Sequence, residues 1–114
     1  MTDIDQIVDN FRDSKEYRHA LVEEKVRTNI AAQIRAIRLQ RNLTPPEFAK
    51  LLARCRTWTC RLEDGNESPP SISTLLQVAA AFDCDLEIRF RPFSELVQEL
   101  DITPESLEVP SFEE

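Results

Sequence analysis

Glycine is the residue a chain uses for left-handed turns, tight hairpins and close backbone approach. This chain of 114 residues has one, Gly65. Long hairpin-rich sheets and glycine-rich phosphate-cradling loops are therefore excluded. Hydrophobic residues make up 41% of the chain, enough for one modest core. No apolar run approaches the length of a bilayer span. The start, Met1-Thr2-Asp3-Ile4-Asp5, lacks the basic-then-apolar order of a signal peptide, so a cytoplasmic protein is expected. Cys55, Cys60 and Cys84 are odd in number and form no CxxC pair, which fits a reducing compartment and argues against a zinc site. Buried or incidental thiols are expected of Cys55 and Cys60. The single histidine, His19, offers little for metal or acid–base work. No nucleophile–base pair or paired catalytic carboxylate is readable, so neither an enzyme nor a cofactor is expected.

The net charge is −7, but it is unevenly spread. Residues 25–61 hold nine Lys/Arg against one acid, Glu47, a net of +8. Residues 1–24 have three bases against seven acids, and residues 62–114 two against thirteen. A basic middle between acidic ends has the local field that attracts a polyanion, which favours nucleic acid over a merely solvated charged face.

Hydrophobic periodicity divides the chain. Ile4, Ile7, Val8 and Phe11 recur at helical spacing, and Ser14 can cap a second helix. A long helical pattern runs from about Lys15 to Arg41, with Asn29 as a candidate break. Its apolar stripe is Leu21, Val22, Val26, Ile30, Ile34 and Ile37, with Arg35, Arg38 and Arg41 expected on the opposite side. Asn42 tolerates the left-handed position that ends a helix. Thr44-Pro45-Pro46-Glu47 is a start signal, with a cap, a proline at the first position and a capping-box glutamate. A helix over Pro46–Ala53 should bury Phe48, Leu51 and Leu52. After a short turn comes a helix over Arg56–Asp64, closed by Gly65-Asn66. Ser71 caps a helix over Ile72–Phe82, with Leu75, Leu76, Val78, Ala79 and Phe82 inward.

The period then changes. Leu86, Ile88 and Phe90 alternate with Glu87, Arg89 and Arg91, as in a strand. A lone strand has unpaired edges, so pairing with its copy in a second subunit is expected ahead of pairing with a local segment or a merely extended stretch. Ser94–Leu100 reads as a short last helix. The organisation is thus an N-terminal helical extension (1–24), a basic helical domain (25–83), a strand plus short helix for dimerisation through Leu86, Ile88 and Phe90 (84–102), and an acidic tail expected to be mobile (103–114).

The middle of the chain also carries an ordered set of residues. They run Ile34-Arg35-x-Ile37-Arg38-x-x-Arg41-x-Leu43-Thr44-x-x-Glu47-Phe48-Ala49-x-Leu51-Leu52, then Arg61-Leu62-Glu63-Asp64-Gly65, then Pro70-Ser71-x-x-Thr74-Leu75-Leu76-x-Val78-Ala79-x-Ala81-Phe82. In this order the region resembles the helix-turn-helix regulators of the phage-repressor Cro/C1 (XRE-like) type, and antitoxins that share that fold. The resemblance covers a little under half the chain. It implies an all-α helix-turn-helix bundle that binds double-stranded DNA as a homodimer, with a second helix in the major groove.

By that resemblance Arg56, Thr57 and Arg61 face the bases, and Arg35, Arg38, Lys50 and Arg54 meet phosphate. Arg38 has a competing role, pairing with Glu63 or another acid. Trp58 either packs inward or lies at the DNA face, and its large apolar area favours packing. The chain departs from the family pattern at Pro45, where Gln is common, at Ala53 and Arg54 in the turn, at Cys55 in the capping position and at Thr59 in the interior. The expected activity is transcriptional regulation, a repressor first. The alternatives are an antitoxin, whose partner is a toxin, and a protein-interaction module that no longer binds DNA.

Overall fold

The computed structural model describes residues 4–100, except for the side chains of Ile4 and Leu100. The tail 103–114 and the last residues of the 84–102 segment lie outside the described residues. Among the described residues six α-helices succeed one another: α1 (Ile4–Asp13), α2 (Lys15–Gln40), α3 (Pro45–Leu51), α4 (Arg56–Leu62), α5 (Ile72–Phe82) and α6 (Phe93–Leu100). The architecture of the described residues is all-α. Residues 84–92 carry neither helix nor strand in the single chain, and a strand is defined by hydrogen bonds to a neighbour. No helix among the described residues is long and apolar enough to cross a membrane.

Helix α2 passes unbroken through Asn29, the candidate break, and is about 39 Å long at 1.5 Å per residue. Its start is set by Ser14, whose hydroxyl accepts the Tyr17 N–H at 3.1 Å. Helix α3 begins one residue earlier than expected and stops at Leu51. Thr44 accepts the Glu47 N–H, and the Glu47 carboxylate accepts the Thr44 N–H at 3.0 Å, a complete capping box. Ser71 caps α5 by accepting the Thr74 N–H at 3.1 Å.

Three helices end in the same way, and none uses glycine. Asn42, Ala53 and Asp83 have positive φ of 57°, 55° and 53°. After each, the next N–H reaches back to a carbonyl five residues earlier: Leu43 to Arg38, Arg54 to Ala49, and Cys84 to Ala79. This closure satisfies carbonyls that a helix end leaves open. Gly65 does not have a positive φ. It lies beside α2, where its carbonyl accepts from Arg27 Nε at 2.9 Å.

The chain divides into two compact units. One is His19–Glu87; the other joins the described residues on either side of it, 4–18 and 88–100. The first has a core of Ile34, Phe48, Leu62, Val78 and Phe82. Phe48 and Phe82 stack with centroids 5.0 Å apart and planes 5° apart. Leu51 and Leu76, expected inside, are instead exposed, at 51% and 55%. On these short helices the inward arc is already filled by Phe48 and Ala49, and by Val78, Ala79 and Phe82.

In the second unit α1 packs on α6. The buried Phe11 meets the Phe93 ring edge-on at 5.0 Å. Arg18 lies over the same Phe93 ring and donates to the carbonyls of Phe11 and Arg12, satisfying the end of α1. Arg91 forks onto the carboxylate of Glu99.

Candidate nucleic-acid interface

Helix α3, a four-residue connection and helix α4 carry the expected base-contacting residues and two of the expected phosphate contacts, Lys50 and Arg54. The connection is tight because Ala53 takes the left-handed conformation and its neighbours close the end of α3. Ala49, buried at 5% exposure, is small enough for α3 and α4 to approach closely. Cys55 occupies the capping position of α4 with extended geometry, but its side chain caps nothing.

Helix α4 is two-sided. Thr59 and Leu62 are buried and Trp58 is half-buried, whereas Arg56, Thr57, Cys60 and Arg61 are exposed. At about 100° per residue the four exposed side chains share an arc of about 140°. The buried face anchors the helix: Leu62 belongs to the core and Trp58 packs against it. The Thr59 hydroxyl, in the interior, donates to the Arg56 carbonyl at 2.9 Å and so is satisfied. Trp58 therefore packs inward, and the Arg54 guanidinium lies over its ring at 4.8 Å.

The expected base-contacting residues Arg56, Thr57 and Arg61 thus stand together on one exposed face. Neither arginine is in an ion pair or a side-chain hydrogen bond among the described residues. Of the expected phosphate contacts, Arg35, Lys50 and Arg54 are exposed. Arg38 is not available. It is 8% exposed, grips Glu63 through Nε at 2.9 Å and Nη2 at 3.0 Å, and donates from Nη1 to the Leu43 carbonyl at 2.9 Å. Arg38 therefore does not stand with Arg35 and Arg41 on the solvent side, because a buried guanidinium must spend its donors on fixed acceptors.

Comparison of the chain with protein-family models, curated proteins and solved structures finds no match.

Cys60 belongs to the exposed face of α4 although the sequence pattern did not single it out; helical angles alone place it there, beside Arg56. Cys55 is also exposed and Cys84 is half-buried, so of the two alternatives expected for Cys55 and Cys60, buried or incidental, the buried one does not hold. At the start of α3, the Thr44 backbone N–H and then its hydroxyl hold the Glu47 carboxyl below its ordinary value. The single acid of the basic segment is thus tied into a cap.

Proposed function

We propose that this chain is a sequence-specific, double-stranded-DNA-binding transcriptional regulator of the helix-turn-helix type, a repressor that acts as a homodimer. The observation that carries the reading is the α4 surface. Arg56, Thr57 and Arg61 occupy one exposed arc of a short helix whose other side is pinned into the core. An α-helix fits the major groove, and arginine can hold guanine by two hydrogen bonds worth about 1–3 kcal/mol of discrimination. Lys50 and Arg54, from α3 and the connection, and Arg35 from α2 supply sequence-blind contacts to phosphate. The net +8 of residues 25–61 supports the same partner despite the acidic ends. In a two-fold dimer the α4 helices would enter successive major grooves about 34 Å apart, so the operator is an inverted repeat.

The test is a titration of labelled DNA from immediately upstream of the gene, at two salt concentrations. Native protein should bind tightly and weaken steeply with salt. Arg56→Ala should lose about 1–3 kcal/mol and relax the preference for one base pair, whereas Lys50→Ala should weaken all sequences alike and reduce the salt slope by about one. Binding indifferent to Arg56→Ala would remove α4 from the bases. No binding to any duplex at low salt would leave the protein-interaction module, with no role for DNA.

A further inference from the structure

The four exposed side chains of α4 are not arranged around the helix in sequence order. With Arg56 taken as zero, Cys60 lies at about 40°, Thr57 at about 100° and Arg61 at about 140° around the axis. Along the axis the two arginines are about 7.5 Å apart, with Thr57 and Cys60 between them. The two long cations thus hold both edges and both ends of the arc, and two short side chains fill its middle. The arc is fixed from behind, because Thr59 and Leu62 are buried and Trp58 packs against the core. Neither Arg56 nor Arg61 is held by an ion pair or a side-chain hydrogen bond among the described residues.

We infer that each α4 reads two guanines on opposite strands, separated by one base pair, and that the pair between them is A·T or T·A. This rests on the DNA-binding reading of α4 and names the sequence that it takes. At about 3.4 Å per base pair, an axial separation of about 7.5 Å spans about two steps. With the middle of the arc toward the groove floor, the arginines lie about 70° to either side and reach toward opposite strands. Each then meets O6 and N7 of a guanine, the base edge that offers two acceptors in the major groove. Two guanines on one strand would require one arginine to cross the groove over Thr57 and Cys60.

The base pair between the guanines faces the short side chains. The Thr57 methyl and the Cys60 thiol, a small and largely apolar group, suit the C5-methyl of thymine. They stand on either side of the middle of the arc. The thymine methyl is therefore met on whichever strand it lies, and both A·T and T·A are accepted.

The full-length chain tests this by selecting duplexes from a random pool, which are then sequenced. The same selection is made with Arg56→Ala, with Arg61→Ala and with a chain carrying both Thr57→Ser and Cys60→Ser, each checked for folding by circular dichroism. The native chain should enrich a G and a C on one strand, one position apart, with A or T between them. Arg56→Ala should lower the preference for one of the G·C pairs, and Arg61→Ala for the other, each by about fivefold or more. The double serine chain should keep both guanines and lose the preference between them. In a second measurement, the selected duplex should slow the alkylation of Cys60 by iodoacetamide far more than that of Cys55, which is also exposed but lies outside the arc.

Guanines on one strand, or at another spacing, overturn the inference. So do arginine variants that both act on the same base pair, a middle position indifferent to the serine substitutions, and a Cys60 as reactive on DNA as off it. Duplex binding without sequence preference overturns it and leaves DNA binding standing. Binding to no duplex at low salt sinks the DNA-binding reading itself, and this inference with it.

Discussion

Arg38 near the end of α2 and Glu63 just after α4 hold each other in a two-pronged ion pair across 25 residues of sequence. Their side chains are 10% and 13% exposed, and the third arm of the guanidinium secures the Leu43 carbonyl in the connection to α3. One side chain thus ties the end of α2 to the segments leading into α3 and out of α4. Breaking a buried pair leaves an uncompensated charge, which costs about 3–5 kcal/mol, whereas an exposed pair is worth about 0–1. Glu63→Ala should fall in the first range by urea denaturation. A loss below about 1 kcal/mol would mean that the pair behaves as a surface contact. Replacing both residues by apolar ones should cost much less than removing Glu63 alone.

Ala53 has the opposite problem, a side chain where none is wanted. Its φ of 55° lies in the left-handed region, which costs an L-residue roughly 1–2 kcal/mol. Ala53→Gly relieves that strain but adds freedom to the unfolded chain. A net stabilisation of about 0.5–1 kcal/mol is expected, read as a higher denaturation midpoint with an unchanged slope. A destabilised variant would contradict the strain.

At the start of α4, Cys55 has the backbone geometry of a capping residue but makes no side-chain cap. A serine hydroxyl is smaller and a better acceptor. Cys55→Ser should stabilise the protein by about 0.5–1 kcal/mol, since good caps are typically worth about 1. Thermal melts under reducing conditions make the comparison, and a lower melting temperature would mean that the hydroxyl does not reach the helix N–H groups.

Glu47 links the cap of α3 to pH. Its folded carboxyl titrates below the ordinary value of 4.5 because the Thr44 N–H, and secondarily the Thr44 hydroxyl, favour the charged form. A group with a lowered folded pKa stabilises the protein above its unfolded pKa and loses that contribution as pH falls through the folded one. The stability difference between native protein and Glu47→Gln should therefore be flat from neutral pH down to about 5 and shrink below it. A difference that grows on acidification would reverse the sign.

How much of this was legible beforehand depended on distance along the chain. The helix starts at Thr44 and Ser71 and the end at Asn42 are decided by groups within a few residues, and the start of α5 follows from Ser71 directly. The outward placement of Arg56, Thr57 and Arg61 is expected from the family resemblance, and the connection before them is longer than expected because α3 stops at Leu51 rather than Ala53. The burial of Arg38 does not follow from local spacing, because helical angles place it equally well beside Arg35 and Arg41. Nor does the exposure of Leu51 and Leu76, whose types predict burial but whose neighbours had already filled the space.

By itself the sequence determined which stretches are helical, which capping residues begin α2, α3 and α5, and that positive charge is concentrated between Lys25 and Arg61. Those are matters of backbone hydrogen bonds and composition, settled within a turn or two. Only the tertiary structure decided that Arg38 serves Glu63 rather than solvent, that Trp58 packs inward under Arg54, and that Phe11 of α1 meets Phe93 of α6. Each depends on residues brought together from distant parts of the chain or on competition for limited core space. Burial belongs to the packed arrangement and not to any residue alone.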